Sequence, residues 1–368
     1  MGASSSRDVI PTPTIEGGEN VRIKYGAGSM QGFGAKMEDA YAVVPDLDHS
    51  TSFFGLYDGH GGPEVALLCA RLFHIELRVH RDYQSDLNNA IRSVFSRMDE
   101  VLQRSDEWKE LVKPTDDSRN WIQRLITTTC LVVNPWHPKW EPYIPPQSTG
   151  SSVCVAVIRG NQLIVGNTGD SRCVASRDGQ ATQLSTDHKP RHQYERQRIE
   201  KAGGTLDLDN NVVIEVGRVP PFSLVQGTLA TSRSIGDFVF KQNRKLPPEG
   251  QIVTCNPDIL TMEITNDIEF LVIASLGIWA SMTCQDVVDF VHKELGTGET
   301  DLSVICQRLV RHILPSPFDT TAILIQFKHV APDNAEENEE DNQEIKSDAS
   351  DEIKSDDSDE IKPYSPNG

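Results

Sequence analysis

The sequence predicts an α+β fold: two antiparallel β-sheets packed face to face as a sandwich, with helix pairs outside. Two observations lead there. Short apolar runs of strand length recur from Val21 to Phe327, several bounded by Gly, Asn or Asp. Amphipathic helical stretches come in pairs, not singly between consecutive strands as a βαβ pattern requires. The chain has 368 residues, enough for one large domain or two ordinary ones.

Residues 1–20, rich in Ser, Pro and Gly, are expected as a flexible leader, with the folded body spanning 21–330. Alternating Val21, Ile23 and Tyr25 predict a first strand. Further strands are expected over 34–44 and 51–57. Asp58-Gly-His-Gly-Gly62 then forms a turn, and Pro63 suits the first turn of a helix reaching Val79. Its Val65, Leu68, Leu72 and Ile75 repeat at helical spacing. Leu87, Ala90, Ile91, Val94, Phe95, Met98 and Val101 predict a second helix over 85–104.

Residues 105–149 are irregular and hold four of the five Trp, reading as a surface excursion anchored by aromatics or as a partner-docking insert. Strands return at 152–158, 162–167 and 173–176, the first two joined by a tight hairpin at Arg159-Gly-Asn161. A polar helix over 191–202 is closed by Gly203-Gly204. Strands at 270–274 and 322–327 flank helices over 284–295, with Thr283 as N-cap, and 302–313. Residues 331–368 carry 14 acidic against 3 basic residues and repeat Glu-Ile-Lys-Ser-Asp with a period of eight. So polar a tail lacks the apolar content to offset ordering entropy and is expected to be disordered.

That tail supplies most of the net charge of −19. An acidic chain argues against nonspecific nucleic-acid binding, which needs clustered Lys and Arg. The seven Cys show no CxxC spacing and mostly sit in apolar runs, so they read as buried hydrophobes in a reducing compartment. No apolar run reaches the roughly 18 residues of a membrane helix. Met1-Gly2-Ala3-Ser4-Ser5-Ser6 fits the myristoylation pattern at Gly2, the alternative being a plain Ser-rich leader. A single acyl chain binds membranes marginally. The expected location is cytoplasm or nucleus, with a minor membrane pool and at most weak peripheral membrane contact.

Four acidic clusters end strands or turns: Glu38-Asp39, Asp58-Gly59, Asp237 and Asp319. Carboxylates gathered at one sheet edge suit hard divalent cations such as Mg²⁺ and Mn²⁺. Each cluster alone is unremarkable, and an isolated Asp-Gly is usually only a turn.

Taken together, the motifs are more specific. Ser29-Met-Gln-Gly-Phe-Gly-Ala-Lys-Met-Glu-Asp-Ala-Tyr41, Phe54-Gly-Leu-Tyr-Asp-Gly-His-Gly-Gly62, Thr149-Gly-Ser-Ser152 and Asn167-Thr-Gly-Asp-Ser-Arg172 occur in that order. Asp187-His-Lys-Pro190, Ser232-Arg-Ser-Ile-Gly-Asp237 and Asp319-Thr-Thr-Ala322 follow. Over 21–328 the chain resembles the metal-dependent protein serine/threonine phosphatases of type 2C, and the plant-type members most. The resemblance implies hydrolysis of phosphoserine and phosphothreonine by metal-activated water at two Mg²⁺ or Mn²⁺ sites, acting on phosphoprotein substrates or binding phosphoprotein partners, and the chain is expected to be monomeric. Carried over, Asp58 would bridge both ions, the Gly59 carbonyl and Glu38 would complete one, Asp319 would bind the other, and His60 would be the general acid.

The departures sit at the same place. Leu276 stands where the family pattern has an Asp, and Ala280 replaces a second Asp. Gly34 occupies the position of a phosphate-binding Arg, and Lys36, placed by the predicted strand on the same face, offers a substitute charge. Two readings follow: a phosphatase of weakened activity, or a pseudophosphatase that keeps the fold as a binding or scaffold module.

Overall fold

The computed structural model describes residues 12–34, 36–104, 148–207, 209–215 and 226–328. In chain order the strands are β1 (Thr14–Glu19), β2 (Ile23–Met30), β3 (Ala40–Val44), β4 (Thr51–His60), β5 (Gly150–Arg159), β6 (Gln162–Thr168), β7 (Arg172–Arg177) and β8 (Gln180–Gln183). They continue as β9 (Thr205–Leu206), β10 (Val212–Glu215), β11 (Gln226–Leu229), β12 (Ile235–Gly236), β13 (Asp258–Glu263), β14 (Ile268–Ala274) and β15 (Thr320–Phe327). The helices are α1 (Glu64–Val79), α2 (Leu87–Arg104), α3 (Gln193–Ala202), the single turn α4 (Leu276–Trp279), α5 (Cys284–Gly296) and α6 (Leu302–His312).

Two antiparallel sheets carry the body. One runs β1-β2-β15-β14-β7-β8, the other β13-β6-β5-β4-β3 with β12 added at the end of β5, and β9 to β11 form a small third sheet. The period-2 side-chain rule assigns each large strand to two cores at once. On β5, Cys154, Ala156 and Ile158 face the layer between the sheets, whereas Val153, Val155 and Val157 face α1 and α2. On β14, Leu271 and Ile273 enter the shared layer while Phe270, Val272 and Ala274 meet α5 and α6. The expected sandwich with outer helix pairs is therefore the observed one. The helix α5 starts at a capping box, Thr283 accepting from Asp286 N and Asp286 accepting from Thr283 N, a motif worth about 1 kcal/mol.

Several expectations change. Residues 14–19, assigned to the flexible leader, form β1 in register with β2 from Thr14↔Ser29 to Glu19↔Lys24. Their exposed, Gly-containing pattern hid an edge strand. Val21 is 85% exposed and lies before β2, so the strand it was expected to open begins at Ile23. Glycine at 26 is required by close packing: a Cβ there would stand 2.2 Å from the Leu302 main chain at the start of α6. The strand expected over 34–44 begins only at Ala40, because Glu38 N donates to Asp319 Oδ2 at 2.6 Å instead of to a ladder partner. Lys36 and Gly34 thus sit on a loop, where strand alternation does not relate them. The myristoylation candidate Gly2, all but the end of the Trp-rich 105–149 segment and the acidic repeats lie outside the described residues. The described residues up to Phe327 form one compact unit.

The helix α3 is tied in by a buried ion cluster. Glu195, 4% exposed, accepts from Arg198 at 2.6 Å, Arg233 at 2.7 Å and Ser232 at 2.5 Å. Burial pushes its carboxyl up, but Arg233, Arg198 and Ser232 overcome that and lower it from 4.5 to about 2. A depressed folded value means this stabilisation is complete above the unfolded value and is lost as pH falls from 4.5 toward 2. Glu195→Gln should therefore cost about 3 kcal/mol at neutral pH by leaving buried guanidinium groups undercompensated. Urea denaturation should also show a shallower loss of stability between pH 4.5 and 2 in the variant than in the parent. An unchanged acid slope would refute this role.

Candidate active site

The two sheets present their ends to one cavity of about 770 Å³. Asp58, Gly59 and His60 lie at the end of β4, in one sheet. Leu276 and Asp319 follow β14 and precede β15, in the other. Glu38 and Asp39 come from the loop before β3. All of these residues line the cavity, together with Gly34, Lys36, Ser152, Asp170 and Asp237.

Hydrogen bonds cross between the sheets here. The Leu276 main-chain N–H donates to Asp58 Oδ2 at 2.8 Å. Thr321 Oγ1 donates to Asp39 Oδ2 at 2.7 Å. The Asp319 carboxylate accepts from Gly32 N at 2.7 Å and Glu38 N at 2.6 Å, which folds the Gly34–Glu38 loop over the cavity edge. Glycine at 59 allows this approach, since a Cβ would lie 2.3 Å from the Glu38 carbonyl oxygen.

Negative charge is concentrated. Burial, with the neighbouring charges of Asp39 and Asp170, holds the Asp58 carboxyl well above its ordinary range. Burial also raises Asp39, against hydrogen bonds from Thr321 and Ser275. Burial and Asp319 raise Glu38. Lys189 bonds Asp170, which also accepts from Ser152 Oγ at 2.8 Å. Such crowded carboxylates, each disfavouring the others' ionisation, provide the hard oxygen donors a divalent cation seeks. Among the described residues, no three His, Cys, Asp or Glu side chains converge as a metal cage by themselves. Glu38, Asp58 and the Gly59 carbonyl offer two carboxylates and one main-chain oxygen. That set fits an ion such as Mg²⁺, which retains several waters. On the other side, Asp58 and Asp319 share the cavity wall with Leu276, whose side chain offers no oxygen.

His60 is positioned differently from the carboxylates. Its Nε2 lies 2.7 Å from Asp237 Oδ2, and Asp237 is 1% exposed. Burial alone would lower the imidazole, but the charge and hydrogen bond of Asp237 raise it to about 9. Asp237 is lowered despite burial, chiefly by His60, with Ser234 and Lys241 adding. Its backbone is left-handed, φ 51°, a conformation costing a non-glycine residue about 1 kcal/mol.

Of the residues singled out in the sequence, Glu38, Asp58, Gly59, His60, Asp319, Lys36, Gly34 and Leu276 are brought together. Ala280 is not: it caps α4, is exposed and does not line the cavity. A side chain at Gly34 would meet only the Lys36 carbonyl, at 3.4 Å, so the position has room. Asp170, Lys189 and Ser152 were given no role from the sequence, although all three lie inside the ordered motifs.

Comparison with known proteins agrees with this architecture. The family description "Protein phosphatase 2C" matches residues 23–119 and 126–316. The chain is 49% identical over 336 residues to "Probable protein phosphatase 2C 21" of Oryza sativa subsp. japonica, covering 91% of this chain and 92% of that protein. It is 52% identical over 316 residues to "Probable protein phosphatase 2C 20" of the same organism, covering 84% of this chain but 60% of that protein. Among solved structures, the serine-threonine phosphatase 2C from Toxoplasma gondii superposes with a TM-score of 0.61 at 19% identity, covering 87% of this chain and 98% of that one. The last likeness shows the shared fold, and the family match with the plant relatives shows more: this chain belongs to the protein phosphatase 2C family.

Proposed function

We propose that this chain is a protein serine/threonine phosphatase of reduced activity, dependent on Mg²⁺ or Mn²⁺, with one ion position intact and one weakened. The observation that carries this reading is the composition of the cavity: Glu38, Asp58, Gly59, Asp319 and His60 line it, with Leu276 also on its wall, where a carboxylate would complete the set. Bound cations supply positive charge for phosphoryl oxygens and lower the pKa of water so that it can attack phosphorus.

The chain's own groups do the rest. Glu38, Asp58 and the Gly59 carbonyl hold one position, and Asp58 and Asp319 contribute to the other. His60 Nε2 is committed to Asp237, which leaves Nδ1 to deliver a proton to the departing Ser or Thr oxygen. Lys36, exposed on the loop at the cavity edge, gives a cation for the substrate phosphate, without the bidentate grip of Arg. The rival reading, a pseudophosphatase that binds phosphoproteins without turnover, draws on the departures at Leu276, Ala280 and Gly34. The phosphoprotein substrate and the monomeric state are part of the same proposal.

Calorimetric titration of the full chain with Mn²⁺ should show one tighter ion and a second at least ten-fold weaker, and two equally tight ions would contradict the reading. In a phosphothreonine-peptide assay with millimolar Mn²⁺, Leu276→Asp should raise kcat/KM about ten-fold or more, the scale of lost metal ligation. Leu276→Asp with Gly34→Arg should raise it further. Folded variants as inactive as the parent would favour the pseudophosphatase.

We also propose myristoylation at Gly2, with a cytoplasmic or nuclear bulk and a small membrane pool. One acyl chain gives association on the order of 10⁴ M⁻¹, and the acidic tail is repelled by anionic headgroups. Cell fractionation should find the membrane pool abolished in Gly2→Ala; a membrane fraction that persists would point to another anchor.

A further inference from the structure

Asp237 belongs to a chain of buried polar contacts that reaches from the cavity to α2. Asp237 Oδ2 accepts from Ser234 Oγ at 2.5 Å as it meets His60. The Ser234 carbonyl accepts from Lys241 Nζ at 2.8 Å. Lys241 Nζ donates in turn to Asp99 Oδ2 at 2.6 Å, and Asp99 Oδ1 accepts from Gly236 N at 2.8 Å. Both partners of that ion pair are buried, with side chains 6% exposed for Lys241 and 11% for Asp99.

These contacts converge on a segment whose backbone departs from the usual helical and extended regions. Gly236 and Asp237 are both left-handed, at φ 83° and 51°. Asp237 N donates to the Thr149 carbonyl at 2.9 Å. A Cβ on Gly150 would lie 2.1 Å from Asp237 Oδ2 and 2.6 Å from His60 Nε2, so β5 lies directly against the pair. Asp99 touches neither the cavity nor His60. Its two carboxylate oxygens grip the segment at both ends, one at Gly236 and one through Lys241.

We propose that Asp237 is a positioning residue for His60, and that the buried Asp99–Lys241 pair braces it from α2. The carboxylate at Nε2 fixes the hydrogen on that nitrogen and fixes the ring plane, so Nδ1 is the nitrogen presented to the leaving oxygen. The inference rests on the phosphatase reading for its consequence in turnover, but the state of the ring can be read without turnover.

The test uses the full chain labelled with ¹⁵N-histidine, His60 being assigned by its disappearance in His60→Gln. The parent should show a His60 Nε2–H in slow exchange. Asp237→Asn should alter or lose it. The decisive variant is Asp99→Leu/Lys241→Met, in which both charges go together and the fold is spared an unpaired buried ion. In that variant, confirmed folded by circular dichroism, the Nε2–H signal should broaden or vanish. With Mn²⁺ and a phosphothreonine peptide, kcat should fall about ten-fold while KM stays within two-fold. A folded double variant with the parent's His60 signal and kcat within two-fold would overturn the brace. If Asp237→Asn also left the His60 signal intact, the positioning role would fall with it. A parent and Leu276→Asp variant both without turnover would count against the proposed function, while the ring signal still decides the brace.

Discussion

The hydrogen bond from the Leu276 main chain to Asp58, with those from Thr321 to Asp39 and from Glu38 to Asp319, joins the ends of two sheets whose shared layer is apolar. Apolar contact fixes the distance between sheets but tolerates sliding, whereas a main-chain donor aimed at one carboxylate oxygen fixes alignment. Everything at the cavity depends on this alignment. Asp58 comes from one sheet, Asp319 from the other, and the loop with Glu38 is anchored on Asp319. The alignment is made by the backbone at 276, so the identity of the side chain there does not enter it. A chain can therefore carry leucine at this point and still assemble the surrounding cavity.

The cavity is also a place of unfavourable electrostatics within a well-packed body. Burial and mutual repulsion oppose ionisation of Asp58 and Asp39, and the surrounding hydrogen bonds only partly offset this. Elsewhere the chain pairs its buried charges, as at Glu195 with Arg198 and Arg233 and at Asp99 with Lys241. The contrast separates structural ion pairs, which are internally compensated, from a carboxylate group that the chain's own residues compensate only in part.

Much of this was legible in the sequence where one physical rule dominated. Alternation in β5 and β14 and the helical spacing in α1 and α2 survive into the structure because each of these elements buries a face. The segments that were missed follow other rules. The strand β1 is an exposed edge whose identity comes from pairing with β2, and β9 to β13 are short or polar. The loop from Gly34 to Glu38 reads as strand until Asp319, far away in sequence, withdraws its backbone donor. Motif order exposed Glu38, Asp58, His60 and Asp319, but the partners of His60 depend on a left-handed turn and on α2, which no local pattern discloses.

The thiols carry a further consequence. Among the described residues no cysteine lines the cavity, and Cys173, Cys255 and Cys306 are buried with their thiols pushed up to about 12. Such groups hold almost no thiolate at neutral pH, and thiolate is the form that peroxide and alkylating reagents attack. Phosphate chemistry at this cavity would therefore run without an oxidisable centre. Oxidative stress, which silences enzymes built on a nucleophilic sulfur, would find no thiolate to modify among the described residues that line the cavity.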